Sequence, residues 1–179
     1  NVNIFGIEGN GKKIDWVKSA QSQDNYRVVK MILESCQMLC TNLNFLHGTQ
    51  VTPYRSCHLN HPSTKWARAS SANFLSLIDH TRSLIAEYKD RFGEHKVHKC
   101  EGVLWRCIEL YDKDLFDKHE ETELPMAMPE EFKSENIVES YRKFYASKPR
   151  IRYPEDKVPS WFDQYRGDQP YEIINKQEV

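Results

Sequence analysis

HPSTKWARASSANFLSLIDHTRSLIAEYKDRFGEHKVHK, residues 61–99, is the stretch around which the rest of the chain has to be arranged. The spacing predicts one long amphipathic helix over 62–92. Pro62 suits a first helical turn, where a missing N–H costs nothing. Gly93 suits the residue just past the end, where a left-handed backbone is needed. Phe74, Leu77, Ile78, Leu84, Ile85, Tyr88 and Phe92 recur at helical spacing and form a core face. Beside them, Trp66, Asn73, His80 and Glu87 stand seven residues apart. A heptad step drifts only about 20° around a straight helix, so the four stack in a row, with Ser70 and Arg91 close to it. Two readings are open. The row is a half-solvated boundary between the apolar and polar faces, or it lines a cleft. As a cleft, Asn73 would read an amide, His80 and Glu87 would exchange protons, and Arg91 would bind an anion.

A cleft needs a second wall, and residues 22–46 offer one. Ser22 or Asp24 can cap this second predicted helix. Val28, Val29, Ile32, Leu33, Cys36, Leu39, Cys40 and Leu43 give it a broad apolar face. Arg27, Lys30, Glu34, Gln37 and Thr41 run along the adjoining face at three- and four-residue steps. Two amphipathic helices pack through their apolar faces, so polar rows beside those faces can converge at one edge. The expectation is that His80 and Glu87 share one groove with Arg27, Lys30 and Glu34. The plainer alternative is a surface of i,i+4 ion pairs such as Lys30 with Glu34, which add little stability.

The remaining segments are shorter. Residues 1–21 read as an N-terminal arm: Val2 to Ile7 as a strand or extended piece, then a glycine turn. GIEGNGK lacks the spacing of a phosphate-binding loop. Residues 47–62 form a loop rich in turn formers. Tyr54, Arg55, His58 and His61 precede the central helix, whose N-terminus favours anions. Cys57, His58 and His61, with or without Cys36 and Cys40, match no standard zinc-ligand spacing, so neither metal nor cofactor is expected. His95, Lys96, His98 and Lys99 form the densest cation cluster, a phosphate site with Arg91 or a solvated basic turn. A short helix is predicted over 100–110 and a charged mobile loop over 112–124. LPMAMPEEF makes an extended strap, because each proline forces the residue before it out of helix. Ser134 then caps a helix over 135–148, from which Arg142 and Lys148 can face a groove. The tail from 149 to 179 reads as irregular and Pro-rich, with VPSWF as an aromatic anchor and the last ten residues frayed.

Length and composition bound the function. At 179 residues, one helical domain over 1–179 is the natural expectation. A net charge of −1 excludes coating nucleic acid by bulk charge, so any such contact must come from a local patch. No apolar run is long enough to cross a membrane and no leader pattern is present. Five cysteines in a chain large enough to hold without staples suggest reduced thiols in a cytoplasmic compartment.

The segments DNYRVVKMILESCQMLCT (24–41), NHPSTKWARASSANFLSLIDHTRSLIAEYKDRFGEHK (60–96), LPMAMPEEFKSENIVESYRKFYASK (124–148) and VPSWF (158–162) resemble a group of small phage-encoded proteins. That group is described as pyrimidine dimer DNA glycosylases of the endonuclease V type. The resemblance covers residues 22–99 and 125–162. It implies an all-α fold: a single helical domain around one long central helix. It also implies an N-terminal α-amine that attacks C1′ of a damaged nucleotide, a glutamate that assists, and arginines that clamp DNA. An amine must be unprotonated to attack.

Two functions follow as expectations. The first is an N-glycosylase, with or without lyase activity at the abasic site, acting on a damaged or modified pyrimidine in DNA. Glu34 or Glu87 would be the acid or base, His80 would assist, and Lys30 would be the fallback amine. Arg27, Arg55, His61, Arg68, Arg91, His95 and Lys96 would bind phosphate. Trp66 and Tyr26 would stack on a flipped base, and Asn73 would read its edge. The second is a non-catalytic phage protein that sequesters a small mono-, di- or cyclic nucleotide, which a near-neutral charge suits. A structural helical protein whose polar rows only specify packing is the plain third.

Overall fold

The computed structural model describes residues 2–175, which form seven α-helices and two two-stranded sheets. In chain order these are β1 (Gly9–Asn10), β2 (Lys13–Ile14), α1 (Trp16–Gln21), α2 (Asn25–His47), α3 (Pro62–Ala69), α4 (Ser71–Phe92), α5 (Glu101–Leu110), α6 (Ile137–Ala146), β3 (Arg152–Pro154), α7 (Phe162–Arg166) and β4 (Glu172–Ile174). The chain is therefore mostly helical but not all-α: β1 and β2 make an antiparallel hairpin, and β3 lies parallel to β4.

The expected single helix over 62–92 is two helices. Pro62 does open α3, but Ser70 leaves the helical path with φ −154° and ψ 159°. Its hydroxyl then accepts the Asn73 N–H at 3.0 Å and starts α4. A serine oxygen satisfies an orphan donor at a helix start, and that local alternative wins over continuing the helix. Gly93 ends α4 at φ 134°, a positive value that a side chain would strain, although it is not the left-handed helical conformation expected. Asn136, not Ser134, caps α6, by accepting the Glu139 N–H at 2.9 Å.

Both ends of the chain are more built than an arm and a tail. Val2 to Ile7 run extended and buried, and Asp15 caps α1 by accepting the Lys18 N–H at 2.9 Å. The expected frayed end contains β4, whose register pairs Arg152 with Glu172. Residues 1 and 176–179 of the expected arm and tail lie outside the described residues. Trp161 and Phe162 are buried as an anchor should be. Segment 112–124 is fastened and not loose: Phe116 and Leu124 are buried, and Thr122 bonds to Asn73.

At the centre, α4 packs against α1 and α2. Val28, Ile32, Leu39 and Leu43 meet Phe74, Leu77 and Leu84 in one buried cluster that extends to the extended N-terminal segment and to Tyr141 and Tyr145 of α6. Ala127 and Met128 of the strap cross beside that N-terminal segment, where the Asn3 amide donates to the Ala127 carbonyl at 2.9 Å. The strap itself is held by Tyr141, whose hydroxyl donates to the Pro125 carbonyl at 2.5 Å. All five cysteines are free thiols. Among the described residues no helix is long and apolar enough to cross a membrane.

Candidate functional site

The polar face of α2 meets the N-terminal segment, the strap and the end of α6 around a cavity of about 320 Å³. Arg27, Lys30, Met31 and Glu34 of α2 form one wall. Val2, Asn3 and Phe5 form the floor, Ala127 to Pro129 a side, and Phe144 and Lys148 the far wall. His58 and His61 stand at the remaining edge. The size lies at the lower end of small-molecule sites, which run from about 300 to 1,000 Å³.

Glu34 is the unusual member. The residue is 6% exposed, yet among the described residues neither carboxyl oxygen has a hydrogen-bond partner. Lys30 Nζ lies 3.6 Å from Oε2, an ion-pair distance too long for a hydrogen bond. Burial pushes the Glu34 carboxyl above its ordinary range, against the pull of the Lys30 charge. Unpartnered buried carboxylates are costly, and proteins rarely keep one without a use for it. Such a group can hold a proton near neutral pH and deliver it.

The cations around Glu34 differ in how free they are. Arg27 is committed: Nη2 donates to the Pro149 carbonyl at 2.8 Å, and Nη1 reaches the Arg150 carbonyl and Asp24 Oδ1 at 3.4 Å each. It clamps the turn after α6 more than it offers itself to a ligand. Lys30 is 42% exposed at its side chain and lies over the Tyr26 ring at 5.7 Å, so it stands at the rim. Lys148 sits above Phe144, its Nζ 4.0 Å from the ring centroid, and burial lowers its pKa with help from the charges of Arg27 and Lys30. His61 spends its Nδ1 on the Ser63 N–H at 3.1 Å and caps α3. Burial and the neighbouring His58 lower its pKa. His58 has φ 52°, a strained conformation for a non-glycine residue, and its carbonyl accepts the His61 N–H at 3.1 Å.

Four of the residues expected at a site are thus together: Arg27, Lys30, Glu34 and His61. The rest are not with them. His80 lies in the core against Trp16, with Nδ1 2.8 Å from the Trp16 carbonyl and Nε2 3.5 Å from the Gln23 amide. Its Nδ1 must donate and its Nε2 accept, and burial drives its pKa down to about 4. A neutral, fully enclosed imidazole there is a packing element. Glu87 accepts from Arg91 Nε at 3.1 Å and pairs with Lys157 at 3.4 Å. Arg91 also bonds the Gln21 and Gln23 carbonyls and the Asn25 side chain, tying α4 to the α1–α2 corner. Asn73 exchanges two bonds with Thr122 and donates to the Trp66 carbonyl. Trp66 packs on Trp16 and donates to the Thr122 carbonyl. Arg68 lies over Phe45 and donates to the Leu59 carbonyl. Arg55, His95 and Lys96 are exposed and away from the cavity. The convergence of two rows in one groove is therefore corrected: the α4 row lines the interior, and only the α2 row faces the cavity. The α4 row is turned toward α1, an element absent from the sequence reading.

Asn3, His58, Phe144 and Lys148 line the cavity without standing among the expected site residues. Only Lys148 and His58 gave a sequence signal, as a groove-facing charge and as part of the loop before α3. Among the described residues no group of three or more His, Cys, Asp and Glu is placed to hold a metal ion. No family model, curated protein or solved structure matches the chain.

Proposed function

We propose that the protein processes a base in DNA: it breaks the N-glycosidic bond of a damaged or modified pyrimidine, with Glu34 as the proton donor to the leaving base. The observation that carries this reading is the Glu34 carboxyl, buried, without a hydrogen-bond partner among the described residues and facing a cavity among cations. A leaving pyrimidine develops negative charge as the bond to C1′ breaks. A carboxyl kept protonated by burial can neutralise that charge, and nearby cations favour the phosphate-bearing sugar. Phe5, Phe144, Met31 and Met128 supply apolar surface for a base taken out of its stack.

The outer face of the same wall supports a nucleic-acid partner. Tyr26 is 39% exposed and has Lys30 and Arg150 over its ring at 5.7 and 5.6 Å. A stacking ring beside exposed cations is how a chain of net charge −1 acquires a local patch for a phosphate backbone. The endonuclease V resemblance implies an N-terminal α-amine as nucleophile, and residue 1 of this sequence lies outside the described residues. Val2 and Asn3 line the cavity.

The test is to incubate the protein with duplexes that carry individual pyrimidine lesions and modifications and to look for released base by mass spectrometry. Release that Glu34→Gln slows about 100-fold supports the reading. No release from any duplex sinks it. The net charge favours a second reading, a binder of a small nucleotide. In that case a nucleotide panel would raise the melting temperature without turnover, since a ligand that binds only the folded state stabilises it by mass action.

A further inference from the structure

We propose that Lys148 is the amine nucleophile of the Glu34 cavity, and that it forms an imine with C1′ of a deoxyribose phosphate. This rests on the base-processing reading above and assigns it a covalent step.

The backbone around Lys148 is fixed from both sides. Arg166 Nη1 donates to the Ala146 and Lys148 carbonyls at 2.7 Å each, closing the end of α6. Arg27 holds the next two carbonyls, those of Pro149 and Arg150. From this anchored turn the side chain runs back over Phe144, one helical turn earlier, with the Phe5 ring centroid 5.9 Å from Nζ. Among the described residues no carboxylate lies within ion-pair distance of it. Lys30 is the opposite case: exposed at the rim and paired with Glu34. Partial burial and the charges of Arg27 and Lys30 lower the Lys148 pKa and favour the free amine, against the pull of Glu34 and the attraction of the Phe144 and Phe5 ring faces for the ammonium. That is how a lysine becomes a nucleophile near neutral pH. Glu34 lines the same cavity, so the acid and the amine can act on one sugar.

The step balances with these two groups. The Nζ lone pair attacks C1′ and the C1′–N1 bond breaks. Its electron pair leaves with the pyrimidine, which takes the Glu34 proton. The Glu34 carboxylate then takes a proton from the new secondary ammonium. It returns that proton to O4′ as the C1′–O4′ bond opens and the nitrogen lone pair closes the C1′=Nζ iminium. No oxidant or reductant is needed.

The experiment uses the full chain, an oligonucleotide with one abasic site, 2-deoxyribose 5-phosphate as a small probe, and cyanoborohydride to reduce the imine. Peptide mass spectrometry locates the adduct. The expected result is an adduct on Lys148 with both probes. Lys148→Arg should lower trapping at least tenfold at an unchanged melting temperature, and Lys113→Arg, at an exposed lysine outside the cavity lining, should leave it within about twofold. An adduct on Lys30, on the N-terminal amine or spread over surface lysines overturns the proposal, as does no adduct at all. Mapping on the unmodified protein keeps the test valid if Lys148→Arg folds poorly. Failure of the underlying reading looks different. Trapping on Lys148 without base release from any duplex would keep the amine and remove the glycosylase, whereas base release without trapping would do the reverse.

Discussion

Glu87 and Glu34 are each 6% exposed, each lies on a long helix, and each has a basic residue one turn away. They are opposite in every other respect. Glu87 is hydrogen-bonded by Arg91, which ties three further groups, and Lys157 closes the network. Among the described residues Glu34 has one long ion pair and no hydrogen bond, and a cavity lies in front of it. Glu8 sides with Glu87: Arg142 and Trp161 each donate to it at 2.9 Å, and the Ser22 hydroxyl makes a short bond to it. Burial of a charge is therefore not the mark of a site in this molecule. The mark is a buried charge whose bonding capacity is left open, because a satisfied network has nothing to offer a ligand.

The contrast can be broken at several points. The largest effect is expected at Arg91→Ala, which leaves Glu87 only its ion pair with Lys157 and frees two backbone carbonyls at the α1–α2 corner. Urea unfolding should show a loss of about 3–5 kcal/mol. A loss under about 1 kcal/mol would mean that this network is not what holds the corner. His80 comes next, through pH. Its folded pKa of about 4 lies below the ordinary 6.5, so between those values the unfolded chain binds the proton and the folded chain does not. Stability contributed by His80 is complete above pH 6.5 and is lost as pH falls toward 4, by up to about 3 kcal/mol. His80→Asn should flatten that part of the melting-temperature profile, and an unchanged profile would count against a neutral buried imidazole.

The site side of the comparison predicts smaller free energies but a sharper split. Glu34→Gln should slow base release about 100-fold, or ~2.7 kcal/mol of barrier, while Glu87→Gln changes it about twofold at most. Equal effects from the two would erase the distinction. The smallest expected effect runs against intuition. The Glu34 carboxyl has a raised pKa, so as pH rises past 4.5 the unfolded chain releases a proton that the folded chain keeps, and stability falls. Glu34→Gln should therefore stabilise the protein by about 1 kcal/mol at neutral pH, with the gain closing as pH drops through 4.5. A destabilised variant at pH 7 would show that the carboxylate has a partner after all.

Local signals were legible where the physics is local. Apolar spacing located α2 and α4, Pro62 opened α3, and the two prolines around MAM laid an extended strap, because helix periodicity and proline restriction act over a few residues. The α2 row of Arg27, Lys30 and Glu34 was legible as a polar face for the same reason. The break at Ser70 was a local signal outweighed by the length of the apolar pattern. The companion row of Asn73, His80 and Glu87 had the same periodicity as the α2 row, and periodicity says only that residues share a face. Which face meets a cavity depends on what packs opposite it. For His80 that is the Trp16 carbonyl, 64 residues away in sequence. For Asn73 it is Thr122, 49 residues away, and for Arg27 the turn at 149–150.

The sequence by itself determined the location of the longer helical segments, the amphipathic faces and the chemical inventory, since these follow from backbone propensity and side-chain type. The tertiary structure alone decided which acid was saturated and which was left open. Hydrogen-bond partners for buried charges come from distant segments, and only the folded chain brings the N-terminal segment, the strap and the end of α6 to the same side of α2.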